Sequence, residues 1–148
     1  MSTLLENVAT VLAAQIPPSA TGGLTAGVNL FIGRIPAEAP DAVVVVHQYE
    51  GQSPLFTMGE AISALERPKI QVMVRGGIED YPGAYTTAVA VRNALAGFQT
   101  PSASLPGVIR IEPLGTPNPT GFDQVNRPRF TLNFQIHLNA KSDGLPTP

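Results

Sequence analysis

Few residues in this chain are of types that do chemistry, and their spacing limits what they can do. There are two histidines, His47 and His137, and no cysteine. Without cysteine there is no disulfide, no thiolate metal site and no thiol nucleophile. Neither histidine sits in a His-x-x-x-His or Glu-x-x-His spacing, so a metal ion would lack its ligands. His47 ends a run of valines and His137 falls on the polar side of an alternating segment. Both read as packed or surface residues. Glu79 and Asp80 form an adjacent carboxylate pair. Carboxylates facing each other across a cleft can do acid–base work, but sequence neighbours seldom face each other, and Asp80 stands where a helix needs a cap. The third candidate is Arg75-Gly76-Gly77. Glycines there either bring backbone N–H groups to an anion or serve a turn that needs positive φ. The spacing fits neither the P-loop nor the dinucleotide fingerprint, and no nucleophile elbow occurs. No residue is therefore given a catalytic, cofactor-binding or metal-ligating role, and no cofactor is expected.

The elements that would position these groups follow from periodicity. Thr3 and Glu6 match a capping box, and Leu4, Leu5, Val8, Leu12 and Ile16 recur at helical spacing until Pro17 and Pro18. Val28, Leu30 and Ile32 alternate with Asn29, Phe31 and Gly33 as a short strand with one better buried face. Ala42–Tyr49 is a second strand. Its four consecutive valines imply burial on both faces, by a central position or by other subunits. Lys69–Arg75 alternates with Ile70, Val72 and Val74 on one side. Residues 81–97 form the clearest helix, with Ala84, Ala88, Val91, Leu95 and Phe98 in one stripe, Asp80 as N-cap and Gly97 suited to a left-handed C-cap. Val108–Leu114 and Arg129–Leu138 are the last strands. In the second, Phe130, Leu132, Phe134, Ile136 and Leu138 face one way, while its polar face meets solvent or another chain. Gly51–Arg67 reads as a helix turn or an extended hairpin, and Gly115–Asn126 as a long loop.

These elements predict an α+β fold: one mainly antiparallel sheet of about five strands with two helices packed on one face. With 148 residues, one domain over residues 1–140 is expected, followed by a disordered or extended tail at 141–148. Nine Lys and Arg stand against eleven Asp and Glu, with no basic stripe, so gripping DNA by its phosphates is not the expected task. Only 14% of residues are charged, against about 25% in an average domain. A lightly charged exterior fits either coverage by a partner or a bland polar coat. The longest apolar run, Ala42–Val46, is far short of the roughly 20 residues of a membrane span. No signal peptide is read at the N-terminus.

The stretch Glu66-Arg67-Pro68-Lys69-Ile70-Gln71-Val72-Met73-Val74-Arg75-Gly76, followed by a helix ending Ala90-Val91-Arg92-Asn93-Ala94-Leu95-Ala96-Gly97, resembles the minor capsid and tail terminator family of long-tailed phages. That family has a strand of the form Pro-x-Ile/Val-Gln-Val-x-Val-Arg, a short turn, and a helix closing on Leu-x-Gly. The order of elements matches along most of the chain, and the motif matches over 66–97. The resemblance implies a virion protein at the head-proximal end of the tail, assembled in the host cytoplasm. It implies a homo-oligomeric ring, typically a hexamer, that caps the tail tube, halts its growth and docks to the head–tail connector. DNA would pass through the bore without specific binding, and no membrane is involved. Candidate contacts to other copies or partners are Phe56, Met58, Arg75, Phe122, Arg127, Arg129 and His137, with strand edges and the 51–67 and 115–127 segments. Other readings are a different head–tail joining protein, a tail-tube subunit, or a small regulatory domain holding an anion at Arg75 and the 76–77 turn.

Overall fold

The computed structural model describes residues 4–16, 23–56, 64–96 and 108–139. Among them the elements run α1 (Leu4–Gln15), β1 (Leu30–Ile32), β2 (Val43–Phe56), β3 (Ala64–Arg75), α2 (Tyr81–Leu95), β4 (Val108–Pro113), β5 (Asn118–Phe122) and β6 (Pro128–Asn139). The strands form one sheet in the order β1-β2-β3-β6-β4, with β5 also paired to β6. Every pairing is antiparallel except β1 with β2. The class is α+β, as the periodicities predict. None of the described helices is long and apolar enough to cross a membrane.

One core joins the layers. Val8 and Leu12 of α1, and Ala84, Ala88, Val91 and Leu95 of α2, pack with alternate residues of the strands in a single buried cluster. Both helices therefore lie on the same face. The five apolar residues of β6 from Phe130 to Leu138 all point into this cluster, beside Ile70, Val72 and Val74 of β3. Burying a side chain of this size contributes about 1.5–3 kcal/mol each, so this alternation is the main source of the fold's stability. α2 is capped as its sequence predicts: the Gly83 N–H donates to Asp80 Oδ1 at 3.1 Å. Its C-cap is Ala96, in extended geometry, with its N–H donating to the Arg92 carbonyl. Gly97, Phe98, Thr3, Met58 and the 141–148 tail lie outside the described residues.

Several expectations change. The valines of β2 are no more than 3% exposed, and the cover comes from the chain itself, not from other subunits. Because β1 and β2 run parallel, Gly33–Ala42 must travel back along the strand direction. Arg75, paired in register with Val43 on the helix-free face, donates to the carbonyls of Asp41 (2.8 Å) and Pro40 (3.0 Å). That anchors the connection over this face. In β1 only Leu30 is buried; Val28 lies in the preceding turn and Ile32 is exposed at the strand's end. The described residues of the 51–67 segment, 51–56 and 64–67, take the extended form as the outer part of β2 and β3. The expected loop 115–126 contains a strand, β5, which runs antiparallel beside β6 and joins it through a tight turn at 123–127. Its Pro, Gly and Asn content concealed a strand, because backbone pairing to β6 does not require apolar side chains. β6 itself is internal, with β3 on one side and β4 and β5 on the other, so it has no free edge to offer another chain. On its polar face Gln135 is buried and Thr131, Asn133 and His137 are half-buried.

Gly76 holds the end of β3 against α2 and β6. A Cβ there would lie 2.7 Å from Ala84 Cβ, 3.0 Å from the Asp80 carbonyl oxygen and 3.1 Å from Pro128 Cγ. None of these is the far end of a flexible side chain. Gly76→Ala is expected to cost about 1–3 kcal/mol through overpacking, and Asp80→Ala about 1 kcal/mol through the lost cap. Denaturant unfolding with unchanged m-values checks both. A Gly76→Ala protein as stable as the parent would mean that the turn can open.

Candidate assembly surface

Three connections meet at the end of the sheet where β3 stops and β6 starts. The Gly76 N–H donates to the Pro128 carbonyl and the Glu79 N–H to the Asn126 carbonyl, each at 2.8 Å. Glu79 and Asn126 both have left-handed backbones, at φ 56° and 65°. Two sterically uncommon residues are thus hydrogen-bonded to each other, locking the turn before α2 onto the turn before β6. Asp123 organises the second turn: its Oδ1 accepts from the N–H groups of Val125 (3.0 Å) and Arg127 (2.9 Å). Arg127 then bridges Asp123 Oδ2 at 2.7 Å and Asp41 Oδ1 at 3.0 Å. Arg127 and Arg75 together fasten the 33–42 connection to the same corner.

The brace leaves large apolar groups outside. Ile78 and Val125 each precede a left-handed residue, and with Tyr81, Tyr85 and Phe122 they are between 43% and 56% exposed. The rings form a stack with a buried base. Tyr81 lies 5.1 Å and Tyr85 5.8 Å from Phe130, centroid to centroid, and Tyr81 lies 6.4 Å from Phe122. Phe130 belongs to the core, so the outer rings are held in place by it. Such spacings suit aromatic pairs, and exposed clusters of this kind mark interaction sites.

The sequence-predicted contacts separate. Phe122 is on the aromatic cluster, while Arg75 and Arg127 are internal braces at its side. Arg129 opposes Arg75 on the helix-free face and is half-buried. His137 is further along β6, its Nε2 3.3 Å from Glu112 Oε1. Phe56 ends β2, and Met58 lies outside the described residues. Tyr81, Tyr85, Ile78 and Val125 were missed. A signal existed: Tyr81 and Tyr85 are spaced i, i+4 on α2, off the Ala84–Leu95 stripe, a pattern that sets two aromatics outside the helix's buried face.

The chemical candidates resolve into structural roles. His47 pairs in register with Gln71, on β2, and does not share a site with His137. Among the described residues no group of three His, Cys, Asp or Glu is placed to hold a metal. A cleft of about 360 Å³ lies between β2 and α2, lined in part by Asn29, Arg75, Asp80 and Thr87. Its polar walls are engaged. Asn29 accepts from the Thr25 N–H and donates to the Gly23 carbonyl, Arg75 holds two carbonyls, and Asp80 caps α2. The N–H groups of Gly76, Glu79 and Asp80 all donate within the chain, and a carboxylate already occupies the helix N-terminus. This corner is built to hold itself together, which disfavours an anion site there.

The described residues thus make an α+β fold whose braced corner leaves large apolar side chains in solvent. The chain matches the family described as bacteriophage tail terminator protein over residues 15–140 and belongs to that family. It is a structural protein of the phage tail. In fold it is similar to a chain of the virion of a native gene transfer agent (GTA) particle, with 16% identity, 87% of this chain and 84% of that chain covered, and a TM-score of 0.49. No curated protein matches the sequence.

The brace sets a pH response. Partial desolvation pushes the Asp123 carboxyl up, but hydrogen bonds from the Arg127 N–H and guanidinium and from the Val125 N–H together outweigh it and hold the group below its ordinary range. A depressed carboxyl stabilises the fold fully above its unfolded value of about 3.9, and that contribution is lost as pH falls through the lower folded value. Asp123→Asn is therefore expected to unfold with a shallower acid dependence below about pH 5, read from denaturant midpoints across pH. Superimposable acid limbs in the two proteins would remove the charge from this account.

Proposed function

We propose that this protein ends the phage tail. Copies close into a ring, a hexamer on the family pattern, which caps the last layer of tail-tube subunits, stops further addition and presents a docking face to the head–tail connector. The family match over residues 15–140 carries this reading. The action is steric. One ring face copies the contact surface of a tube subunit, and the other does not, so no further layer can add. A head-to-tail interface that closes after a fixed number of copies gives a finite ring. The low charge content and the exposed aromatic corner support a chain that works through contact with neighbours.

Charge also bears on DNA passage. The helix-free face of the sheet carries Arg67, Lys69, Arg75, Arg110 and Arg129, alternating with core residues, against Glu112. Phosphates bind Lys and Arg. Unhindered passage is best served if this face is turned away from the bore, toward a protein neighbour.

The test is tube growth. Purified tail-tube protein is polymerised with and without this chain, and tube lengths are measured by electron microscopy. Addition is expected to halt elongation and leave a ring density at one end only. Tubes that lengthen at the control rate overturn the reading. Long tubes formed by this chain alone would make it a tube subunit.

A further inference from the structure

We infer that the aromatic corner is one half of the contact between copies, and that its other half is the β1 edge of the next copy. This rests on the ring reading above and goes beyond it by naming the two surfaces. The corner lies beside β5 and α2, at one edge of the sheet, while β1 forms the opposite edge, roughly 20 Å away across the intervening strands. Val28 and Ile32, at 58% and 42%, are the exposed large apolar groups at that second edge. Gly27 and Gly33 flank them, and a Cβ on either would meet nothing within 4 Å, so the surface around the two side chains is bare. Ile32 shares the inward parity of Leu30, which places it on the helix side of the sheet, the side that also carries Tyr81 and Tyr85.

Two different apolar patches on opposite edges can satisfy each other only between copies arranged head to tail, the arrangement that generates rings. Charge agrees. Glu79 is exposed beside Ile78, and Arg34 is exposed two residues after Ile32, with no ion pair among the described residues. Strand addition is a poor alternative. β1 has three residues, and the outer edge of β4 and β5 contains Pro113, Pro117 and Pro119, which have no N–H to donate. The contact is therefore made by side chains and not by extending the sheet.

The absence of cysteine gives a direct test, since introduced thiols are the only ones present. Tyr85→Cys and Ile32→Cys are made singly and together; both positions are exposed, and the one core contact given up is that of the Tyr85 ring with Phe130. With a short bismaleimide, the double variant is expected to give a ladder of multimers ending at the ring size. The two single variants mixed are expected to stop at dimers, and neither alone to cross-link. Dimers from Tyr85→Cys alone would mean a two-fold contact and overturn the inference. So would a double variant that forms rings by native mass spectrometry yet gives no ladder. Tyr85→Ser and Arg34→Glu provide a second route: each is expected to weaken self-association about tenfold or more, with unchanged far-UV circular dichroism; melting stays unchanged for Arg34→Glu and falls slightly for Tyr85→Ser, which loses its contact with Phe130. Unaltered association in both counts against the contact. The tube-growth assay separates the two ideas. A ladder without growth arrest keeps this contact and removes the terminator reading; arrest without a ladder does the reverse. A protein that stays monomeric even on added tubes removes both.

Discussion

The structure depends on the register of β6. Its five inward residues from Phe130 to Leu138 supply the centre of the core, and three strands pair along its two sides. In a strand the side-chain period is two, so a slip of one residue would turn all five apolar groups outward and bring Thr131, Asn133, Gln135 and His137 into the core. That penalty fixes the pairing with β3 and β4 at once. It also fixes where β6 begins, and hence where the turn at 123–127 meets the turn at 76–80.

The corner made there has unusual internal logic. Its backbone takes two left-handed residues, Glu79 and Asn126, and its charges are consumed by Arg127, Asp123 and Asp41. Asp123 and Arg127 are turned toward one another, while large apolar side chains stay exposed beside Glu79, Gln124 and Asn126. A turn region normally does the opposite, since exposed turns are polar. Leaving Ile78, Tyr81, Phe122 and Val125 partly in water forgoes burial energy, and the ion pairs and hydrogen bonds beneath them hold the corner without it. Such an arrangement makes sense in a chain whose working state is an assembly, where that surface is covered. A member of the tail terminator family meets that condition as a structural protein of the phage tail.

Much of this was legible in the sequence. Alternation in β3 and β6, the single stripe of α2, the Asp80 cap and the strand–turn–helix motif at 66–97 are local patterns, and each reports the face on which one element is buried. The family resemblance rests on those same residues. Helix–sheet layering follows because each helix has one apolar face to cover.

What tertiary structure alone decided concerns segments whose side chains carry no period. β5 contains a proline, Pro119, and two other turn-forming residues, Asn118 and Gly121, and is a strand only because β6 offers it backbone partners. The burial of Val43 and Val45 depends on where the 33–42 connection passes, and Arg75 determines that from the opposite strand. The aromatic corner gathers residues from 78 to 85 and from 122 to 130, whose adjacency follows from hydrogen bonds between two turns. Sequence by itself determined which residues are apolar and at what period, which is enough for element type and core face. Only the folded chain decided which apolar residues remain in solvent, because exposure is a property of neighbours distant in sequence.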